Sequence, residues 1–232
     1  MENLKYAYKF VFPDGTSKAF DVVLDGRMNL VTEKLTVNPP WTRLTSCKCK
    51  ECPLDEKKDK YCPAALAMVH LIDFCKDMPA SQHARAIVES PYRTYVKNVS
   101  LQEGLSSLVG IYMATGGCPV FSILKSMVRF HLPFASMEET GYRVFSMYLL
   151  AQYYLSKKGV VPDWKMEKLP KVYRKISAVN SSFCERLRTV VASDSSVNAV
   201  IILDALGGFI ELSFKRNAMR DIEEWFSLDD WK

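Results

Sequence analysis

Leu4-Lys-Tyr-Ala-Tyr-Lys-Phe-Val-Phe-Pro-Asp-Gly15 is the stretch of sequence that decides how this chain folds. Over residues 4–12 a large apolar side chain stands at every second position, which predicts a strand with one buried face. Pro13-Asp14-Gly15 predicts a turn, because Pro and Gly supply the backbone angles that tight turns require. Residues 20–24 then repeat the alternation, so we expect a β-hairpin.

A second hairpin is indicated further along the chain. Residues 84–89 and 93–99 have strand character, and Ser90-Pro91 between them is typical of a turn. Antiparallel sheets commonly have one face in the core and the other in water. We therefore expect the two hairpins to pair into one antiparallel sheet with helices on one face.

The second half of the chain is predicted to be mostly helical. Ser100 and Glu103 form a capping-box pattern that predicts a helix to about Ala114, and Ser136 with Glu139 predicts a long one to about Lys157. Further helices are expected over residues 64–74, 119–130, 163–192 and 195–214, with a short amphipathic segment over 219–226. The expected fold is α+β, with a small antiparallel sheet from two N-terminal hairpins packed on a mostly helical C-terminal bundle.

The length of 232 residues suits a single domain with a sizeable core. Within it we expect a β-rich layer over 1–99, with a cysteine loop over 46–63, and a helical layer over 100–232. The formal net charge is +5, but the basic residues are scattered, so nucleic-acid binding is not indicated. No signal peptide and no apolar run of roughly 18 residues are present, which predicts a soluble, cytoplasmic protein. Partners and oligomeric state cannot be read from the sequence.

Four of the seven cysteines fall in one lysine-rich segment, as Cys47-Lys-Cys49-Lys-Glu-Cys52-Pro and Tyr-Cys62-Pro. A lone buried cysteine behaves as a small hydrophobe, but four this close together in polar sequence would waste core positions. The clustering therefore indicates a metal site, a redox pair or a disulfide clasp. A reducing cytoplasm disfavours permanent disulfides, so we expect metal binding or redox chemistry.

The spacing indicates which cysteines would bind a metal ion. Cys49 and Cys52 have the spacing at which two thiolates on a tight turn meet one ion. Cys52, Cys62 and Cys118 are each followed by Pro, a context typical of a cysteine at a turn or a helix start. We therefore predict a ligand set of Cys49, Cys52, Cys62 and Cys118, with Cys47 as the competing fourth ligand.

Zinc is the metal that best suits four thiolates, and an iron–sulfur cluster is the alternative, since Cys-Pro also occurs at cluster ligands. The other expectation is a thiol-dependent oxidoreductase that uses Cys118, with His131 as its base, or the Cys49/Cys52 pair. Backbone N–H groups at a helix start would lower the pKa of Cys118. Cys75 and Cys184 lie in helical patterns and are expected to be core residues.

Polar side chains also concentrate around the start of the helix predicted from Ser136. Glu139 and Arg143 are four residues apart on it and can pair, while Arg129 and His131 arrive from the preceding helix end. These four residues could form a polar pocket for a small anion or for acid–base chemistry. The alternative, which we favour, is that they cap and link two helices.

Several strings resemble an uncharacterised family of bacterial proteins of unknown function. They are Ser100-Leu-Gln-Glu-Gly-Leu-Ser-Ser-Leu, Met113-Ala-Thr-Gly-Gly-Cys118-Pro, Arg129-Phe-His-Leu-Pro-Phe-Ala-Ser and Ser146-Met-Tyr-Leu-Leu-Ala-Gln. The resemblance covers most of the chain and implies that the cysteines at 49, 52, 62 and 118 recur while Cys47 is an extra. It implies no activity.

We therefore expect a cytoplasmic metalloprotein with a four-cysteine site that ties the loop to a core helix, and with no defined catalytic activity. Such a site would make folding depend on the metal, and its loss or oxidation could serve as a sensor. The sequence contains neither a nucleotide-binding glycine pattern nor a metalloprotease signature.

Overall fold

The sheet of the computed structural model has four antiparallel strands in the order β2-β1-β3-β4. The structure describes residues 2–31, 35–191, 197–201, 204–205, 208 and 223–231. The strands are β1 (Leu4–Val11), β2 (Ser17–Leu24), β3 (His83–Glu89) and β4 (Thr94–Ser100). The two predicted hairpins are thus confirmed, and they join through β1 and β3.

One face of the sheet is buried, as the alternation predicted. Tyr8 on β1 lies opposite Phe20 on β2 and Val88 on β3, and all three side chains are buried. The intervening residues of β1 are partly or fully exposed. Because side chains on a strand alternate between the two faces, this register places the aromatic residues of β1 in the core.

Helices follow in the order that the sequence indicated, and the α+β class is confirmed. They are α1 (Pro63–Ala67), α2 (Val69–Cys75), α3 (Leu101–Thr115), α4 (Lys125–Arg129), α5 (Met137–Lys157) and α6 (Leu169–Arg188). Both predicted capping boxes are present, at the starts of α3 and α5. These boxes satisfy backbone N–H groups that have no partner inside the helix.

Three helical segments differ from their predicted extents. Residues 64–74 form two helices that part at Met68, and the segment predicted over 119–130 divides into a 3-10 helix, Phe121–Leu124, and α4. The helix α6 begins at Leu169 instead of at residue 163. Pro170 lies in its first turn, where Pro is tolerated because the N–H groups there have no partner inside the helix. Residues 197–201 are helical, but the rest of 195–214 and the start of 219–226 lie largely outside the described residues.

The sheet packs closely on α3. A Cβ atom on Gly104 would lie 2.6 Å from Cε1 of Phe10, so only glycine allows this approach. Buried side chains from the sheet, from α1 to α3 and from α5 and α6 belong to one hydrophobic core cluster. None of the described helices has the length and apolar character needed to cross a membrane.

Candidate functional site

Four cysteine side chains line one small cavity of about 20 Å³. They are Cys49, Cys52, Cys62 and Cys118, and each is a free thiol. The other three cysteines are close enough to Cys49 to raise its pKa electrostatically. Within the described part of the chain, however, no three His, Cys, Asp or Glu side chains have the arrangement that holds a metal ion. The four thiols surround the cavity without forming a coordination polyhedron.

The loop that carries three of these cysteines is closed by backbone hydrogen bonds. The N–H of Cys52 donates to the carbonyl of Cys49 at 3.0 Å, which makes the predicted tight turn. At the base, the N–H of Cys62 donates to the carbonyl of Thr42 at 2.7 Å, and that of Leu44 to Lys60 at 3.0 Å. These bonds bring both ends of the loop to the same place.

Cys62 and Cys118 occupy equivalent local positions. Cys62 is the N-cap residue of α1, and Pro63 is the first residue of that helix. Cys118 is likewise followed by Pro119 and stands shortly before the 3-10 helix Phe121–Leu124. In each case the backbone N–H groups two and three residues later act to lower the pKa of the cysteine. Helix starts favour a negative charge, so both positions suit a thiolate.

Two glycines allow the starts of these segments to meet. A Cβ atom on Gly116 would lie 2.7 Å from Cβ of Ala67 on α1, and one on Gly117 would lie 3.1 Å from Cβ of Pro63. Gly117 also has a φ of +91°, a conformation that side chains disfavour. The pair therefore lets α1 pack against the end of α3, which places Cys62 near Cys118.

The remaining cysteines lie elsewhere. Cys47 does not line the cavity, and its Sγ atom donates to the carbonyl of Ser182 on α6 at 3.3 Å. Cys75 is buried in α2 with its Sγ atom 3.0 Å from the carbonyl of Leu71. Cys184 is buried in α6. The structure thus separates Cys47 from the group formed by Cys49, Cys52, Cys62 and Cys118.

A buried arginine forms part of the same cavity wall. Arg186 is 1% exposed, and it donates hydrogen bonds to the carbonyls of Trp41, Arg43 and Cys47. Its Nε atom has no hydrogen-bond partner, and it forms no ion pair with any described carboxylate. Burying a charge without a counter-charge is costly. The cavity therefore holds a cation that lacks an anion.

Burial controls the charge of the thiols when no metal is bound. Desolvation, followed by the influence of neighbouring cysteines, raises the pKa of Cys49 to about 12, while Arg186 acts in the opposite direction. Desolvation also raises the pKa of Cys62 and of Cys118. The expectation of a lowered pKa for Cys118 was wrong, because loss of solvent outweighs the favourable N–H groups. Without an ion these thiols are neutral at pH 7.

The four residues of the predicted polar pocket are not all brought together. His131 and Arg143 line a larger cavity of about 400 Å³, whereas Arg129 and Glu139 do not. Glu139 is exposed and caps α5 through Ser136. Arg129 is exposed at the end of α4. The favoured alternative, helix capping, therefore describes Glu139.

His131 is hydrogen-bonded to the hydroxyl of Tyr8, so the sheet and the segment after α4 are joined there. Desolvation, with a smaller contribution from the charge of Arg143, lowers the pKa of His131 to about 3. A neutral imidazole of such low basicity is a poor general base. His131 and Cys118 also line different cavities, and no contact between them is described.

Sequence reasoning missed Arg186, although a signal was available. Val179, Phe183 and Arg186 are spaced four and three residues apart on α6, so they share one helix face. An arginine at the helical spacing of buried apolar residues predicts a buried charge. The distant carbonyls that bind it could not be found in this way.

Comparisons with known proteins identify a family but no activity. A family profile described as "Domain of unknown function (DUF6901)" matches residues 6–227. No curated protein and no solved structure matches the chain. The function of this chain must therefore be inferred from its own residues.

Proposed function

This chain belongs to the DUF6901 family, whose function is unknown, and we propose that it is a metalloprotein with a structural zinc ion at Cys49, Cys52, Cys62 and Cys118. The proposed site has no catalytic activity. It holds the cysteine loop against the helical layer of a cytoplasmic protein. In the reducing cytoplasm the thiols stay available as ligands.

The observation that carries the proposal is the buried cation of Arg186 beside four cysteines in one cavity. A zinc ion with four thiolates has a net charge of minus two, so it would supply the anion that Arg186 lacks. In turn, the positive charge of Arg186 would stabilise the thiolates and offset the cost of their desolvation. A protein without a metal would instead enclose the cation of Arg186 beside the neutral thiols of Cys49, Cys62 and Cys118.

The size of the cavity favours one ion over a cluster. At about 20 Å³ it has room for roughly one water-sized atom. A cubane cluster of several iron and sulfide atoms is much larger than this. The space therefore supports zinc in preference to the iron–sulfur alternative.

Metal binding requires the sulfurs to converge. Zinc–sulfur bonds are about 2.3 Å long, and the described side chains do not have this arrangement. The cysteines line the space from the loop, from the start of α1 and from the segment after α3, so the proposal requires their side chains to turn inward when the metal binds. Binding must also displace thiol protons, since the pKa of Cys49 is raised to about 12 without metal.

A thiol-dependent enzyme is less well supported. A nucleophile–base pair needs the two groups within hydrogen-bonding distance, whereas Cys118 and His131 line separate cavities. The pKa of Cys118 is raised and that of His131 is lowered, both by desolvation. These shifts oppose the formation of a thiolate and a protonated base.

The test is to measure the metal content and absorbance of anaerobically purified protein. We expect about one zinc per chain and no visible colour. Cys118→Ser should reduce the retained zinc strongly, and Cys47→Ser, a matched change outside the cavity, should leave it unchanged. A folded, metal-free wild-type protein that takes up no zinc would refute the proposal. Visible absorbance with bound iron would favour the cluster instead.

A further inference from the structure

The cavity lined by His131 and Arg143 is separate from the cysteine site and has the size of a small-molecule pocket. Its volume of about 400 Å³ lies within the range of ligand sites in proteins. It is bounded by β4, by α3, α4, α5 and α6, by the 3-10 helix Phe121–Leu124 and by the segment 130–136. Apolar side chains supply most of its surface. The polar side chains in the wall indicate what kind of ligand would fit, and they include Lys97, Glu103, His131, Arg143 and Asn180.

One of these polar groups is a buried amide without a full set of partners. Asn180 on α6 lines the cavity and is 1% exposed. Its Nδ2 atom lies 3.4 Å from Oδ1 of Asp204, but its Oδ1 atom has no hydrogen-bond partner among the described residues. Buried acceptors are nearly always paired. The unpaired oxygen therefore indicates a ligand that donates a hydrogen bond.

A second polar group is the cation of Arg143 on α5. One of its nitrogens, Nη2, donates to the carbonyls of Met127 at 2.8 Å and Phe130 at 3.1 Å, which fixes the side chain against α4. No described carboxylate forms an ion pair with it. Its position in a mostly apolar wall lowers its pKa by desolvation. The charge of Glu139 acts on this pKa in the opposite direction, but without an ion pair. The N–H groups of Arg143 that face the cavity therefore suit a ligand that carries an anion.

The two groups are carried by different helices, Arg143 by α5 and Asn180 by α6. Tyr173 lines the cavity and is near enough to Arg143 for the guanidinium to affect its pKa. Tyr173 and Asn180 are seven residues apart, so they are about 10 Å apart along the helix axis. A ligand that reaches from Tyr173 to Asn180 therefore spans about two helical turns and passes the apolar side chain of Ile176.

We propose that this cavity binds a small carboxylic acid with an apolar body and a hydroxyl group at its far end. The carboxylate would accept from Arg143, the apolar chain would fill the space between α3 and α6, and the hydroxyl would donate to Oδ1 of Asn180. The proposal does not depend on metal binding at the cysteines.

Isothermal titration calorimetry on the full chain tests this with ω-hydroxyoctanoate, whose extended chain matches the span, and with octanoate and octanol. ω-Hydroxyoctanoate can make both polar contacts, octanoate only the one to Arg143, and octanol only the one to Asn180. We expect ω-hydroxyoctanoate to bind about tenfold more tightly than octanoate, which lacks one hydrogen bond. Octanol should bind most weakly, because a hydrogen bond between a carboxylate and a guanidinium is stronger than one between neutral groups. Arg143→Gln should weaken binding of octanoate at least about tenfold. Arg129→Gln, a nearby exposed arginine outside the cavity, should not change it.

Asn180→Leu provides a second measurement that does not involve the cation. It should abolish the preference for ω-hydroxyoctanoate over octanoate while octanoate itself still binds. If Arg143→Gln does not fold, Arg143→Lys should still prefer octanoate to octanol. The proposal is overturned if the wild type shows no saturable binding, or if octanol binds as tightly as octanoate. Unchanged selectivity in folded Asn180→Leu would likewise overturn the assignment of Asn180.

Discussion

At the scale of single residues, Arg186 carries the most chemical information. Its guanidinium is buried beside the cysteines, and three carbonyls from segment 41–47 accept its hydrogen bonds. These bonds hold the polypeptide just before the cysteine loop against α6. The uncompensated charge next to four thiols connects this structural role to the proposed metal.

Arg186→Gln tests the link between this charge and the metal. Glutamine keeps a side-chain donor for the carbonyls but removes the positive charge. The affinity for zinc should fall about tenfold or more, because thiolates lose a buried counter-charge. Competition with a chromophoric chelator measures this. Arg188→Gln, on the same helix but outside the cavity wall, is the control; an equal effect of both variants would contradict a specific role for Arg186.

At the scale of elements, the end of α3 determines how the site is assembled. Gly117 follows the C-cap residue Gly116 with a positive φ, and its hydrogen faces Pro63. Gly159 occupies the same position after α5, with a φ of +76° and nothing within 4 Å. Both glycines end a helix in the left-handed conformation, but only Gly117 lies against another helix.

Comparison of Gly117→Ala with Gly159→Ala separates backbone strain from packing. Gly159→Ala should lower the free energy of unfolding by about 1 kcal/mol through strain alone. Gly117→Ala should cost about 1 kcal/mol more, since its Cβ would press on Pro63. It should also reduce zinc retention, because α1 would move from Cys118. Equal losses in urea denaturation of the two variants, with unchanged zinc, would show that the close approach is unimportant.

At the scale of the whole molecule, the sheet is tied to the helical layer by a partly buried polar contact. Tyr8 comes from the central strand β1, and His131 comes from the segment between α4 and α5. The pKa of Tyr8 is raised well above its ordinary value by desolvation, and that of His131 is lowered to about 3. Both groups are therefore neutral across the physiological range.

The shifted pKa of His131 predicts how the free energy of unfolding depends on pH. The unfolded chain binds a proton at His131 below pH 6.5, whereas the folded protein does not until about pH 3. The unfolded state binds more protons in that window, so stability falls as the pH falls from 6.5 towards 3. His131→Gln should remove about 3 kcal/mol of this loss between about pH 7 and about pH 4.

Urea denaturation across that range measures the effect. His83→Gln, at an exposed position, should retain the wild-type slope of stability against pH. The readout is the slope and not the stability at one pH, because His131→Gln also removes the hydrogen bond to Tyr8. A wild-type slope in His131→Gln would disprove the assignment.

Local patterns in the sequence were sufficient to predict both hairpins and the starts of α3 and α5. Alternation over residues 4–12 and the turn at Pro13-Asp14-Gly15 depend on neighbours two to four residues away, and so do the capping boxes at Ser100 and Ser136. The predictions were less accurate over 119–130, where a 3-10 helix precedes α4. Apolar spacing alone does not distinguish one continuous helix from two short ones.

The sequence by itself thus determined the two hairpins, the helical second half and the candidate cysteines. Only the tertiary structure decided that Cys118 lines the cavity with Cys49, Cys52 and Cys62 while Cys47 lies against α6. It alone revealed the cation of Arg186 there. The physical reason is that alternation and capping act between residues close in sequence, whereas the cavity forms where segments far apart in sequence pack together.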